Sequence, residues 1–137
     1  MRSEAGFTLL ELLLATSILA IGLLGTLNMQ STGLRANAFA QRTTSAAAVA
    51  RAAMDEVISL PGSSAFFATA QNAVVYDLDP QTVATTKTVQ GIPYSATITV
   101  TPNATVNGTV IQDLTQIQLT VVGSDRTVTL TELKRAL

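Results

Sequence analysis

The chain has 137 residues, and eight Lys and Arg against nine Asp and Glu give a formal net charge of −1. It contains no Cys, His or Trp, which excludes disulfides, thiol nucleophiles, metal sites built on Cys or His, and catalytic triads that need an imidazole. The near-neutral charge lacks the basic footprint of a nucleic-acid-binding protein, so we expect no nucleic-acid partner. Hydrophobic residues make up 47% of the chain and charged residues only 12%, a balance that indicates a membrane segment.

That segment lies near the N-terminus. Residues 12–34 carry no ionisable side chain, and about 20 apolar residues in a helix span the hydrocarbon core of a bilayer. Glu11 lies four residues after the apolar run opens at Phe7. An acid at that depth costs at least about 2.5 kcal/mol, so we expect it to have a partner. An ordinary secretory signal and an uncleaved single-span anchor remain alternatives, but both leave Glu11 unexplained.

The first eleven residues, MRSEAGFTLLE, resemble the class III signal of type IV pilins and type II secretion pseudopilins. The shared pattern is a short hydrophilic leader ending in Gly, then Phe-Thr-Leu-Leu-Glu, then an apolar helix. The resemblance implies that a membrane-embedded aspartyl prepilin peptidase cuts after Gly6 and N-methylates Phe7. It assigns Glu11 to subunit assembly, because this carboxylate can pair with the Phe7 amine of a neighbouring subunit in low dielectric and select one axial register.

The helix is predicted to continue beyond the membrane, over roughly residues 8–60, and to end at Pro61-Gly62. Its outer half carries a one-sided apolar stripe made by Ala46, Val49, Ala50, Ala53, Val57 and Leu60. We therefore predict a leader over residues 1–6, a transmembrane and filament-core helix over 7–34, an amphipathic continuation over 35–60, and a globular β-rich head over 61–137.

The head is predicted to be an antiparallel sheet. Alternating or β-branched runs predict strands over residues 74–78, 83–89, 92–101, 117–121 and 127–131. Gly123-Ser124-Asp125 predicts a hairpin between the last two runs, and residues 103–109 predict another turn. Phe66 and Phe67 are expected to dock on the core. Four or five strands in one sheet, with the apolar face on the outer half of the helix, give an α+β, type IV pilin-like fold.

Apart from Glu11, the sequence offers few candidate functional residues. Asp77 and Asp79 suggest a calcium site, but two acids without further oxygen ligands favour a polar strand end before Pro80. Lys134 and Arg135 are interpreted as a solvated tail. We predict no enzymatic activity, no cofactor and no metal.

Within the pilins, residues 16–30, TSILAIGLLGTLNMQ, are most similar to minor pilins of the type IV pilus modification (PilV) type. This resemblance implies a minor pilin that is cleaved and N-methylated by prepilin peptidase and helps to initiate or modify pilus assembly. Its implied partners are other pilin and minor pilin subunits, the inner-membrane assembly platform and the lipid bilayer. The implied location is the inner membrane, single-pass with a cytoplasmic N-terminus, and then the periplasm or a cell-surface pilus. A type II secretion minor pseudopilin and a membrane- or pilus-displayed adhesin remain alternatives.

Overall fold

A computed structural model describes residues 8–135 of the chain. In chain order its elements are α1 (Leu9–Ser59), α2 (Ala65–Ala68), β1 (Gln71–Tyr76), β2 (Lys87–Val89), β3 (Ile92–Thr101), β4 (Thr105–Val106), β5 (Thr109–Val110), β6 (Leu114–Val122) and β7 (Thr127–Arg135). By its internal contacts the chain divides into two units, the first ending at Ala40 and the second beginning at Gln41.

In the second unit, α1 packs on the sheet through the predicted stripe. Ala46, Val49, Ala50, Ala53 and Val57 are all buried, as the helical spacing predicts, and Met54 is buried beside them. The stripe was wrong at its last member, because the helix ends at Ser59 and Leu60 lies beyond it, 37% exposed. Pro61 explains that end, since a residue before proline is driven away from helical backbone angles.

The sheet is antiparallel throughout. Its main path is β1-β3-β6-β7, and β2 also pairs with β3, which gives this sheet five strands. Apolar side chains of β3 and β6 line the inner face and meet the α1 stripe in one core, which also holds the predicted anchor Phe67. The α+β, type IV pilin-like fold of a long N-terminal helix with an antiparallel sheet is confirmed.

The strand boundaries differ from the prediction most at β1 and β2, while β6 and β7 extend beyond the predicted 117–121 and 127–131 runs. β1 begins at Gln71 and ends at Tyr76, and only the last three residues of the predicted 83–89 run form a strand. The intervening residues turn instead, because Asp79 N donates to Asp77 Oδ1 at 2.9 Å and Pro80 follows. The early part of β1 holds a bulge between Gln71 and Val74 that the sequence did not signal.

Two tight turns fix the register of the β2–β3 and β4–β5 hairpins. Gln90 and Gly91 between β2 and β3, and Asn107 and Gly108 between β4 and β5, all have positive φ angles, as a two-residue type I′ hairpin requires. The predicted turn over residues 103–109 is therefore largely a small two-stranded hairpin. The predicted hairpin between β6 and β7 is confirmed, and Gly123 N donates to Arg126 O within it at 2.7 Å.

Candidate functional site

The described part of the helix starts with a side-chain cap. Thr8 precedes the first helical residue, Leu9, and Leu12 N donates to Thr8 O at 3.2 Å. Glu11 N donates to Thr8 Oγ1 at 3.3 Å. A hydroxyl that accepts from the third helical residue, while its own carbonyl accepts the first helical bond, is the geometry of an N-cap. Thr8 therefore satisfies one of the backbone donors that every helix start leaves open.

Glu11 lies in the first turn of α1. A carboxylate there is favoured by the positive end of the helix dipole. Gly6 and Phe7, the predicted cleavage and methylation residues, lie outside the described residues, as does the predicted leader.

The surface around Glu11 is apolar and uncovered. Every described residue from 8 to 40 is exposed. The large apolar side chains of this stretch are between 56% and 79% exposed over residues 9–29. By length and composition α1 can cross a membrane. Folding of the described residues leaves all of these side chains exposed, and an apolar surface of this extent is typical of a membrane or protein contact.

Hydroxyl side chains within this stretch bond to their own helix. Thr16, Ser17, Thr26 and Thr32 each donate to a backbone carbonyl three or four residues earlier, at 2.8 to 3.2 Å. Such internal bonding lets hydroxyls enter hydrocarbon without an external partner. The Glu11 side chain cannot bond to a backbone carbonyl in this way while it is ionised, because a carboxylate only accepts hydrogen bonds.

In the second unit, side chains of the β2–β3 and β6–β7 hairpin turns contact Gln41 and Arg42 of α1. Gln41 Nε2 donates to Gln90 Oε1 at 3.0 Å, and Arg42 Nη1 lies 3.2 Å from Asp125 Oδ2. Both members of the ion pair are about half exposed, so it contributes little to stability.

The structure corrects the interpretation of Lys134 as part of a solvated tail. Its Nζ donates to the carbonyl oxygens of Ile58 and Leu60 at the C-terminal end of α1, and lies 4.8 Å from the centre of the Phe67 ring. The carbonyls that end a helix lack intrahelical donors and carry partial negative charge, which attracts a cation. Lys134 therefore fixes the last strand to the end of the helix and is not part of a solvated tail.

A second polar contact joins helix and sheet at Tyr76. Burial, followed by the charge and hydrogen bond of Glu56, raises the pKa of Tyr76 to about 12. The neutral phenol is therefore the form that the folded state holds.

The aspartates weighed as calcium ligands form a turn. The Asp77 carboxylate caps the backbone N–H of Asp79, which matches the predicted polar strand end. No group of three or more Asp, Glu, His or Cys residues with metal-binding geometry occurs in residues 8–135.

Sequence reasoning overlooked Thr8 although the signal was present. Thr8 and Glu11 have the spacing of a capping box, Ser or Thr followed three residues later by Glu or Gln before an apolar run. The structure brings these two residues together through the N-cap hydrogen bond.

The N-terminal region matches one protein-family model, described as the prokaryotic N-terminal methylation motif, over residues 1–27. Searches among curated proteins and among solved structures found no match to the chain. The motif, the long apolar N-terminal helix and the antiparallel sheet are together consistent with a type IV pilin-like protein. The motif supports a prepilin-processed protein of the type IV pilin or pseudopilin class and implies assembly with other pilin subunits. That class is structural rather than catalytic.

Proposed function

We propose that this chain is a minor pilin subunit of a type IV pilus, cut by prepilin peptidase between Gly6 and Phe7 and N-methylated on Phe7. The observation that carries the proposal is a methylation motif on a helix whose apolar side chains stay uncovered. The motif supplies the processing signal, and the uncovered helix supplies the surface through which subunits assemble.

The uncovered surface explains why the subunit needs two successive environments. Fully burying one Leu or Ile side chain is worth about 1.5–3 kcal/mol, so a helix with many exposed Leu side chains is stable only in lipid or against other helices. The bilayer covers this surface before assembly. In a filament, the apolar helices of neighbouring subunits cover it instead.

Glu11 makes the second step specific. Its carboxylate disfavours hydrocarbon by at least about 2.5 kcal/mol, and the amine that cleavage exposes on Phe7 is the complementary charge. Pairing between adjacent subunits offsets the burial of both charges. Apolar helices can slide along one another, whereas an ion pair fixes one axial offset.

Residues 1–6 are the leader, 7–34 the transmembrane and filament-core segment, 35–60 its amphipathic continuation and 61–137 the displayed head. The N-terminus is cytoplasmic before cleavage and the head lies in the periplasm, then on the pilus. The partners are other pilins, prepilin peptidase and the inner-membrane assembly platform, and we assign the chain no catalytic step.

The test is Glu11→Ala in cells that assemble the filament. We expect normal membrane insertion and leader cleavage, with incorporation into sheared filaments reduced at least about tenfold, because removing one partner of a buried charge pair is strongly destabilising. Glu132→Ala is the matched control, since Glu132 is an exposed acid of β7 in the head, and it should assemble as the unmodified chain does. Equal incorporation of both variants contradicts the proposal.

A type II secretion pseudopilin shares the same motif. Deletion of the chain separates the two machines, because loss of piliation supports the pilus assignment and loss of protein secretion with intact pili refutes it. Intact pili and secretion with loss of surface adhesion instead support the adhesin alternative.

A further inference from the structure

We propose that the outer edge of β7 is a self-association surface, through which two copies of this chain join antiparallel in one register centred on Thr129. β7 ends the main path of the sheet and pairs with β6 alone among the described residues. A strand edge of this kind offers a row of backbone N–H and C=O groups to another extended chain. The proposal goes beyond the proposed function, because it concerns contacts of the displayed head and not the apolar helix.

The two edges of the sheet differ in how open they are to another strand. At the opposite edge, β1 holds a bulge between Gln71 and Val74, and β2 has only three residues. Bulges and short strands are devices that discourage pairing at an edge. β7 instead pairs with β6 without a register shift over nine residues and contains no Pro or Gly. Its residues 127–131, TVTLT, are uncharged and have a composition that favours strands.

The bonding to β6 determines which backbone groups of β7 face outward. Gly123 N donates to Arg126 O one step beyond the first β6–β7 pair, and hydrogen-bonded pairs alternate with non-hydrogen-bonded pairs along an antiparallel ladder. By this alternation Thr120 and Thr129 form a non-hydrogen-bonded pair. Their Oγ1 atoms lie 3.1 Å apart, as the close side chains of such a pair allow. The backbone N–H and C=O groups of Thr129, and of the residues two before and two after it, therefore point away from β6 toward the outer edge.

One antiparallel register matches the side chains across this edge. With Thr129 opposite its own copy, Thr127 lies opposite Thr131, and Val128 lies opposite Leu130. Pairs of threonines and pairs of apolar residues both stabilise a sheet. Val128 and Leu130 lie on the inner face, half-buried at the margin of the core. A second copy would therefore extend the apolar inner face as well as the backbone ladder.

The same register pairs opposite charges at both ends. Arg126 lies opposite Glu132 of the second copy, twice by symmetry, and both are an even number of residues from Val128, which places them on one face. Glu132 is exposed. The Arg126 guanidinium lies 3.8 Å from Asp125 Oδ2 and, with five N–H donors, can bind a second carboxylate. A shift of two residues in one direction places Glu132 opposite Val128, and in the other direction Arg126 opposite Leu130, so charge complementarity favours the register centred on Thr129.

The symmetry of the pair determines which copies can meet. Identical strands that pair antiparallel, with the same face inward, are related by a two-fold axis perpendicular to the sheet. This axis reverses the direction of residues 41–59 of α1, which pack on the sheet in the second unit. Subunits that enter one filament from one membrane have their helices in one direction, so the β7 pair joins heads displayed on different filaments. Two paired strands bury little area, and the association is therefore weak and reversible.

The experiment traps this weak pair between lipid nanodiscs that each hold one full chain, so that lipid covers the apolar helix and only heads of different discs meet. The sequence contains no Cys, so an introduced Cys is the only thiol. The Cα atoms of a hydrogen-bonded antiparallel pair lie about 5.5 Å apart, a distance that a disulfide spans. We expect Thr129→Cys to form a disulfide-linked homodimer under mild oxidation. Thr101→Cys, at an exposed threonine of the central strand β3, is the matched control and should stay monomeric.

Further variants test the register and the charges. Thr127→Cys and Thr131→Cys should each fail to cross-link alone and should cross-link when mixed, because these positions face each other across the axis. Glu132→Lys places like charges at both ends and should lower the yield of the Thr129→Cys dimer at least about fivefold. Asp55→Lys, the same charge change at an exposed acid of α1, should leave that yield unchanged.

The proposal is overturned if Thr129→Cys yields no more dimer than Thr101→Cys, or if the mixture cross-links no better than its components. It is also overturned if Glu132→Lys pairs as well as Asp55→Lys. Cross-linking of Thr129→Cys to Thr131→Cys in place of the Thr129→Cys homodimer identifies another register and counts against the proposal equally. Display on filaments belongs to the proposed function, whereas pairing requires only the head, so loss of cross-linking and loss of filament incorporation are separate results.

Discussion

Gly123 is predicted to be the least replaceable glycine of the head. It lies in the β6–β7 hairpin, where an added Cβ would come within 2.7 Å of Tyr94 Cε1 and 3.1 Å of Tyr94 Cδ1. The Tyr94 ring is 1% exposed and belongs to the packed core, so it has little room to move. Gly123→Ala should lower the free energy of unfolding by about 1–3 kcal/mol, the range for overpacking a core, and lower Tm by about 5–20 °C.

The assay is calorimetric unfolding of the full chain in detergent. Tyr94→Leu is the partner variant, since it removes the ring atoms that the new methyl group meets. In the double variant the effect of Gly123→Ala should shrink by about 1 kcal/mol or more, which the double-mutant cycle reports as coupling. Gly33→Ala is the matched control, because nothing lies within 4 Å of its added Cβ, and it should not destabilise the head. An unchanged Tm for Gly123→Ala, or additive effects in the cycle, refutes the packing argument.

Three further predictions concern contacts of the head. Lys134→Met should lower the free energy of unfolding by about 1–2 kcal/mol, through loss of the charged contacts to the helix end, whereas Arg135→Met, exposed in the same strand, should leave the denaturant midpoint unchanged. Tyr94→Phe should leave stability equal or raise it by about 1 kcal/mol, because the buried Tyr94 hydroxyl has no hydrogen-bond partner among the described residues; a clear loss in the same denaturation assay contradicts this. Because the folded pKa of Tyr76 is raised from 10.0 to about 12, the folded state binds the proton more tightly. Stability should therefore fall as pH rises through that window. Tyr76→Phe should flatten the fall, and Glu56→Gln should lower the pKa seen by tyrosinate absorbance.

The helix and the central strands could be predicted from the sequence because their signals are periodic. The stripe from Ala46 to Val57 repeats at helical spacing over three turns, and β3 alternates apolar and polar residues along its whole length. The period of the apolar residues identifies each element as a helix or a strand, and the apolar positions identify the face that is buried. The hairpin before β7 followed from Gly123 and its neighbours.

The edges of the sheet were less predictable. The run over residues 83–89 has strand-like composition, yet it pairs only at Lys87–Val89. Strand preference describes how well a side chain fits a half-buried pleated surface, and the earlier part of the run has no partner strand to supply one. The bulge in β1, where Ala73 has a φ of 48°, depends on pairing with β3 and carries no local sequence signal.

Functional residues could be predicted where the signal lies in neighbouring sequence, but not where it depends on contacts between distant parts of the chain. Glu11 could be identified because an acid within an apolar run is anomalous by itself. Thr8 could have been identified from its spacing to Glu11. The contact of Lys134 with Ile58 could not, since it joins residues 76 positions apart through a sheet order that the sequence does not state.

The central claim is that this chain is a substrate of prepilin peptidase and assembles through its newly exposed N-terminus. The most direct measurement is the intact mass and N-terminal fragmentation of the protein purified from filament-assembling cells. The account predicts a chain that starts at Phe7 and carries one added methyl group on the α-amine. A chain that keeps Met1 under active processing, or one that starts beyond residue 20, contradicts it.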